Sequence, residues 1–167
     1  MRLTILTTGG TIDKTYDEFQ GSLRNEQTVI DVILDSLRIP DLDIHHVDVM
    51  HKDSLDMTGE DREIIARVVC DAAPTSDAIV ILHGTDTLAD TGELLLGQCS
   101  GLEIPIILTG AMRPYEFRDT DATQNVTEAL LASRLLEGGV YVAMHNRVLK
   151  FPGVIKDRQA LTFIRND

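Results

Sequence analysis

The stretch Leu3-Thr4-Ile5-Leu6-Thr7-Thr8-Gly9-Gly10-Thr11 begins as a short β-rich apolar run and ends in a glycine-containing turn. A near-continuous apolar run of this length is typical of a parallel strand that is covered on both faces. Similar runs follow along the chain at residues 44–50, 78–83, 104–109 and 140–145. Because His45-His46-Val47-Asp48 makes the second run the most polar, we expect that strand to lie nearer an edge of the sheet.

Helical patterns separate these runs. The first has apolar residues at positions 30, 33, 34 and 37, with Pro40 as a stop. Thr58 and Asp61 resemble a capping box at the start of a helix that continues to Ala72. Further helices are predicted over residues 88–96 and 125–136. The alternation predicts an α/β fold, an open, largely parallel sheet flanked by helices in three layers, as a single domain over residues 1–167.

The composition argues against several classes of function. The 167 residues include 27 acidic and 15 basic side chains, giving a net charge of −12. Such a surface repels phosphate backbones, so no nucleic-acid partner is expected. No apolar run approaches the length needed to cross a bilayer, and the N-terminus is interpreted as a strand, so a cytoplasmic protein without membrane association is expected. Cys70 and Cys99 have no CxxC spacing, and both are expected on helices as small buried residues.

The segments that directly follow the apolar runs are rich in glycine, hydroxyl and carboxylate residues. In open α/β sheets, ligands bind outside the carboxyl ends of the strands. Glycine lets a backbone approach a small ligand, and the polar side chains can hydrogen-bond it. The candidate binding rim therefore comprises Thr8-Gly9-Gly10-Thr11, Lys52-Asp53-Ser54, Gly84-Thr85-Asp86 and the segment 110–114.

Two of these segments offer chemistry. The glycine pair could present the Thr11 hydroxyl beside free backbone N–H groups, although the same turn could cradle a phosphate or be a simple tight turn. Thr85 and Asp86 could act in the site or merely cap the following helix. A threonine nucleophile needs a neighbouring base. Lys156 could serve if burial disfavours its charge, whereas a lone lysine is usually a solvated surface residue.

Three segments, Thr8-Gly9-Gly10-Thr11-Ile12, His83-Gly84-Thr85-Asp86-Thr87 and Leu108-Thr109-Gly110-Ala111-Met112-Arg113-Pro114, resemble the signature blocks of the bacterial-type L-asparaginase family. The blocks occur in the family's order and at similar spacing, and the likeness covers essentially the whole chain. The resemblance implies an asparaginase N-terminal-like catalytic domain. It also implies hydrolysis of L-asparagine to L-aspartate and ammonia, with no cofactor and no metal.

The resemblance also implies a role for individual residues. Thr11 matches the nucleophile that forms the acyl-enzyme, and Tyr16 the tyrosine of a mobile loop over the site. Thr85, Asp86 and Lys156 match a second catalytic group, in which the threonine handles proton transfer and the aspartate binds the substrate's α-ammonium group. The implied substrate-binding residues are Gly10, Ser54 (for the α-carboxylate), Leu55, Thr85 and Asp86. Asp121 and Asn125 fit a family pattern and are interpreted as structural supports.

The chain departs from the family pattern in two ways. Leu55 occupies a position where some members have a glutamine that contacts the α-ammonium group. Full-length members also carry a smaller C-terminal domain, so this chain resembles the short, single-domain members or a fragment. We expect a homo-oligomer, a dimer or tetramer, and a mobile lid over residues 14–24. The alternatives are a non-catalytic asparagine- or aspartate-binding module, an amidase for another small amide such as glutamine, and an α/β nucleotide-binding domain.

Overall fold

A computed structural model describes residues 1–166 and has a six-stranded sheet at its centre. The elements, in chain order, are β1 (Arg2–Gly9), β2 (Lys14–Asp17), β3 (Ser22–Asn25), α1 (Ile30–Ser36), β4 (Asp43–Lys52), α2 (Gly59–Ala72), β5 (Ala78–Leu82), α3 (Leu88–Gln98), β6 (Pro105–Thr109), α4 (Ala122–Leu135), β7 (Gly139–Met144), β8 (Arg147–Lys150), β9 (Val154–Asp157) and β10 (Thr162–Arg165). Short 3-10 turns at Thr11–Asp13, Ser54–Asp56 and Ala73–Thr75 complete the fold.

The sheet has the strand order β4-β1-β5-β6-β7-β8. Its first five strands run parallel, and β8 pairs antiparallel with β7. The five parallel strands coincide with the five apolar runs, so the predicted fold class is confirmed. The polar strand β4 lies at an edge, as its composition predicted. β2 with β3, and β9 with β10, form separate two-stranded hairpins that the apolar pattern did not indicate.

Alternate residues of the strands feed two apolar cores, one on each face of the sheet. On one face, Leu6 and Ile81 pack with Val69 of α2 and Leu95 of α3. On the other face, the neighbouring strand residues pack against α1 and α4 through Ile30, Ile33, Val126 and Ala129. Because β5 and β6 are buried along their whole length, both faces must be covered, which produces three layers.

The helix boundaries agree with the sequence patterns except at α4. The predicted capping box of α2 is present, since the Thr58 hydroxyl accepts the Asp61 N–H and the Asp61 carboxylate accepts the Thr58 N–H. The fourth helix begins at Ala122 rather than at the predicted Asn125. Asp121 precedes it but makes no capping bond with its side chain, which is bonded elsewhere. No helix within residues 1–166 is both long and apolar enough to cross a membrane.

The expectation that both cysteines are buried is correct for Cys99 and wrong for Cys70. Cys99 is buried and lies at the residue after α3, but Cys70 on α2 is exposed. Val69 occupies the position of α2 that faces the sheet. Each helical step turns the side chain by about 100°, so Cys70 points to the side of α2 and not directly at the sheet.

Two glycines of α3 provide a matched test of this packing. A Cβ on Gly92 would overlap the ring of Phe151, whereas a Cβ on Gly97 would meet no atom within 4 Å. We expect Gly92→Ala to lower the free energy of unfolding by about 1–3 kcal/mol through overpacking. Gly97→Ala should raise it by about 0.5–1 kcal/mol, because alanine favours the helix. Denaturant unfolding measures both, and equal effects of the two substitutions would contradict the described packing.

Candidate active site

Three turns meet at the carboxyl end of the sheet with their backbones in contact. Gly10 has φ 90°, and a Cβ there would overlap the backbone of Gly84. A Cβ on Gly84 would in turn lie 2.6 Å from the Ser54 Oγ. The Gly10 N–H donates to the carbonyl of Lys52 at 2.9 Å. These contacts bring the segment that carries Thr11 next to the segments that carry Ser54 and Thr85, as the rim hypothesis predicted.

Thr11 begins a 3-10 turn whose third residue, Asp13, is fully buried. The Asp13 Oδ1 accepts hydrogen bonds from the Val29 N–H at 2.9 Å and the Thr28 hydroxyl at 3.1 Å. Burial raises the pKa of Asp13 despite these bonds. The carboxyl group thus anchors the turn that carries Thr11 to the start of α1. Sequence reasoning missed this residue.

The clearest cluster of polar side chains joins Lys156 to the segment after β5. The Lys156 Nζ donates to the Thr85 Oγ1 at 2.8 Å and to the Asp86 Oδ1 at 3.1 Å. The Lys156 side chain is only 13% exposed, and Thr85 is buried. Arg158 also contacts Asp86, with its Nη1 3.0 Å from the same Oδ1. The structure therefore brings together the three residues of the expected second catalytic group and adds Arg158.

Ser54 and Leu55 face different surroundings. Ser54 is buried, and its Oγ accepts a hydrogen bond from the Thr87 N–H at 3.4 Å. Leu55 is 65% exposed and points toward solvent.

Burial alone would raise the pKa of Asp53, but hydrogen bonds from Lys14 and the Leu55 N–H, with the charges of Lys14 and Lys156, lower it. Asp53 therefore stays ionised at the rim.

Tyr16 lies on the β2–β3 hairpin, which occupies the expected lid segment. Its side chain is 60% exposed, and a Cβ on Gly21 would lie 3.9 Å from its hydroxyl. The hairpin is tied down by Lys14 Nζ to Asp53 Oδ2 at 2.6 Å and by the Tyr16 N–H to Glu116 Oε2 at 2.9 Å. In this structure the Tyr16 hydroxyl is thus directed toward the turn of its own hairpin, and its catalytic role stays a prediction.

Asp121 and Asn125 connect the loop after β6 to the end of β7. The Asp121 carboxylate accepts the N–H groups of Met112 and Arg113, each at 3.0 Å, and contacts the His145 Nε2 at 2.8 Å. The Asn125 Nδ2 donates to Asp121 and to the Gly110 carbonyl. Burial alone would raise the pKa of Asp121, but these hydrogen bonds lower it. Both residues hold a loop in place, which agrees with the supporting role expected of them.

His83 fixes the turn that leads into Thr85. It is fully buried, with its Nδ1 2.8 Å from the Gly84 carbonyl and its Nε2 2.9 Å from the Thr91 hydroxyl. Burial lowers the pKa of His83 to about 4. The neutral ring can donate from Nδ1 and accept at Nε2, so both contacts are satisfied without a charge.

Among residues 1–166, no three His, Cys, Asp or Glu side chains converge to hold a metal ion.

The lowered pKa of His83 makes stability depend on pH. Below the ordinary value of 6.5, the unfolded chain binds a proton that the folded chain refuses until about pH 4. The free energy of unfolding should therefore fall by about 3 kcal/mol as pH drops through this window. Denaturant unfolding at several pH values measures the slope.

The matched substitutions for this test are His83→Gln and His45→Gln. The glutamine at position 83 keeps a donor and an acceptor but does not titrate, so the slope should become shallower between pH 6.5 and 4. His45 is exposed, so its substitution controls for the loss of one histidine from the chain. The carboxyl groups of the chain are present in both variants, so the comparison isolates the contribution of His83. A wild-type slope that survives in His83→Gln would contradict the assignment.

Comparison with known proteins identifies the family of the chain. The family model described as Asparaginase, N-terminal matches residues 2–159. An L-asparaginase of Thermococcus kodakarensis is 36% identical over 152 residues, which cover 89% of this chain and 45% of that protein. A glutamyl-tRNA(Gln) amidotransferase subunit from Methanobrevibacter smithii is 29% identical over 146 residues, which cover 86% of this chain and 33% of that protein.

Solved structures of L-asparaginases have a similar fold. The thermostable L-asparaginase from Thermococcus kodakarensis superposes with a TM-score of 0.86 at 33% identity, covering 99% of this chain and 51% of that one. A probable cytoplasmic L-asparaginase from Campylobacter jejuni gives a TM-score of 0.75 at 28% identity, covering 97% and 50%. This chain spans about half the length of these proteins. The resemblance found in the sequence is confirmed, and the chain belongs to the asparaginase family, whose N-terminal domain it matches.

Proposed function

We propose that this chain is an amidohydrolase that converts L-asparagine and water to L-aspartate and ammonia through an acyl-enzyme on Thr11. The observation that carries the proposal is the hydrogen bond of 2.8 Å between Lys156 and the buried Thr85, beside the turn of Thr11. Relatives named as L-asparaginases and as amidotransferase subunits support amide chemistry in general. Because the chain covers only part of these relatives, the substrate and the full reaction are part of the proposal.

The reaction would proceed in two stages. The Thr11 hydroxyl attacks the carbon of the side-chain amide, and its proton passes toward Thr85 and Lys156. Backbone N–H groups of the surrounding turns stabilise the oxyanion, although that of Gly10 is already bonded to Lys52. Ammonia leaves with the proton. Water then attacks the ester and restores Thr11.

Substrate binding would use the polar groups of the rim. Asp86 is expected to pair with the α-ammonium group, and the buried Ser54, with Gly10 beside it, to bind near the α-carboxylate. Leu55, as an exposed apolar side chain, would contribute contact rather than a hydrogen bond. Tyr16 would reach Thr11 only after the β2–β3 hairpin rearranges, which requires the Lys14–Asp53 contact to open.

Assembly and location form part of the same proposal. We expect residues 1–167 to act as one catalytic domain in a homo-oligomer, a dimer or tetramer, as the resemblance to the asparaginase family implies. Light scattering that finds only monomer would contradict this. A cytoplasmic location is proposed; the relatives include a probable cytoplasmic and a probable periplasmic asparaginase.

The assignment is tested by ammonia release from wild type, Thr11→Ala and Thr85→Ala. We expect a loss of roughly 100-fold or more in either variant, because each removes a group that bonds or moves a proton in the reaction. Thr127→Ala is the matched control, since Thr127 is exposed on α4 and its hydroxyl bonds only to its own helix. Full activity in Thr11→Ala or Thr85→Ala would refute the proposed roles.

The same assay compares asparagine, glutamine and a simple aliphatic amide. One methylene changes transition-state binding by only about 1–3 kcal/mol in an apolar pocket. We expect kcat/KM to be highest for asparagine. A preference for glutamine would identify the chain as an amidase with another substrate. Tight binding of aspartate with no turnover of any amide would instead favour the non-catalytic binding module.

A further inference from the structure

Two thiols meet between the C-terminal ends of α2 and α3, on a helix layer outside the candidate active site. The Sγ atoms of Cys70 and Cys99 lie 3.5 Å apart, although the residues are 29 positions apart in the chain. Both thiols are free. Cys70 is exposed, whereas Cys99 is buried among apolar residues of the core. The pair thus combines one accessible sulfur with one protected sulfur in direct contact.

We propose that Cys70 and Cys99 form an oxidation site, where a small disulfide compound such as oxidised glutathione produces a reversible intramolecular disulfide between α2 and α3. The exposed Cys70 thiolate attacks one sulfur of the small disulfide, forms a mixed disulfide and releases one thiol. Cys99 then attacks the Cys70 sulfur, which releases the second thiol. Each protein thiol loses its proton, and the small disulfide is reduced to two thiols.

The difference in exposure sets the order of these steps. Burial, together with the hydrogen bond and charge of Cys70, raises the pKa of Cys99 to about 12. Cys99 therefore remains a thiol near neutral pH and is shielded from direct reaction with a bulky oxidant. The Cys99 sulfur already contacts the Cys70 sulfur, which is the atom that carries the mixed disulfide after the first step. The second step should consequently become faster as pH rises.

The bridge would close a loop that contains β5, α3 and the segment of Thr85 and Asp86. A cross-link across a loop of this length restricts the unfolded chain more than the folded one. For a domain of this size we expect Tm to rise by roughly 10 °C on oxidation.

The test treats the folded protein with oxidised glutathione and measures intact mass, thiol titre and Tm. We expect the mass to fall by two hydrogen atoms, both thiols to disappear and Tm to rise, with all three changes reversed by dithiothreitol. The Cys99→Ser variant should retain one glutathione on Cys70. The Cys70→Ser variant should stay unmodified, because its remaining thiol is buried. A stable glutathione adduct on the wild type, a disulfide between two chains, or an unchanged Tm would each overturn the proposal.

A second, independent observation concerns the charge around Asp86. Its Oδ1 receives both the Lys156 Nζ at 3.1 Å and the Arg158 Nη1 at 3.0 Å. Arg158 lies just after β9, and its side chain is 68% exposed, so it can leave Asp86 without unfolding the hairpin. If Asp86 binds the α-ammonium group of the substrate, as in the proposed function, that group is the third cation at this carboxylate.

We propose that Arg158 is a specificity-determining residue that competes with the α-ammonium group of the substrate for Asp86. The two positive charges of Lys156 and Arg158 already exceed the single negative charge of Asp86, so a third cation adds repulsion. A ligand without an ammonium group avoids this competition. Arg158 therefore reduces the preference of the site for α-amino acids over the corresponding acids that lack the amino group.

Calorimetry of aspartate and succinate binding tests this role, because the two ligands differ only by the ammonium group. Arg158→Gln should tighten aspartate binding by about fivefold relative to succinate, with a smaller effect at high salt. Arg165→Gln, an exposed arginine of β10, controls for the change in net charge. Equal changes for both ligands, or weaker aspartate binding, would overturn the role of Arg158. Failure of wild type to bind either ligand would refute the proposed function itself.

Discussion

The candidate site depends on the close approach of three turns that leave no room for a side chain at Gly10 or Gly84. Gly10 lies against Gly84, and Gly84 lies against Ser54, so each turn fixes the position of the next. Any larger residue at position 10 would separate the turn of Thr11 from that of Thr85 and would also strain a backbone with φ 90°. The proposed chemistry therefore depends first on backbone packing and only then on the hydroxyl groups that the turns carry and on the Lys156 amine of β9.

The rim of the candidate site carries paired charges of both signs, although the protein as a whole is strongly acidic. Lys14 pairs with Asp53, Lys156 pairs with Asp86, and Arg158 adds a further positive charge at Asp86. Within a chain of net charge −12, the rim thus has a different balance from the rest of the surface. Partial burial reduces screening by water, so these pairs act on a small ligand more strongly than exposed pairs would. Such a cluster is complementary to the proposed substrate, which carries separated charges of its own.

Sequence patterns predicted the sheet well because its five parallel strands are nearly continuous apolar runs, and burial on both faces requires such runs. They did not indicate β8 or the two hairpins, since strands of four residues with mixed polarity carry no distinct pattern. The exposure of Cys70 depends on which face of α2 meets the sheet. Asp13 was missed because nothing local marks an acidic residue as buried. Its burial follows from the contact of its turn with Val29, 16 positions away.

Lys156 illustrates how tertiary structure places a lysine in a largely buried, polar setting that its neighbours in the sequence do not encode. In the chain it follows Val154 and Ile155 and precedes Asp157 and Arg158, with no motif that sets it apart from a solvated surface lysine. In the fold, β9 pairs with β10, where Lys156 lies opposite the buried Phe163. Burying Phe163 anchors the hairpin beside the sheet and places the amine 2.8 Å from Thr85, 71 positions earlier in the chain. Apolar burial on one strand therefore positions a polar group on the next, and the hydroxyl of Thr85 meets an amine already held in place.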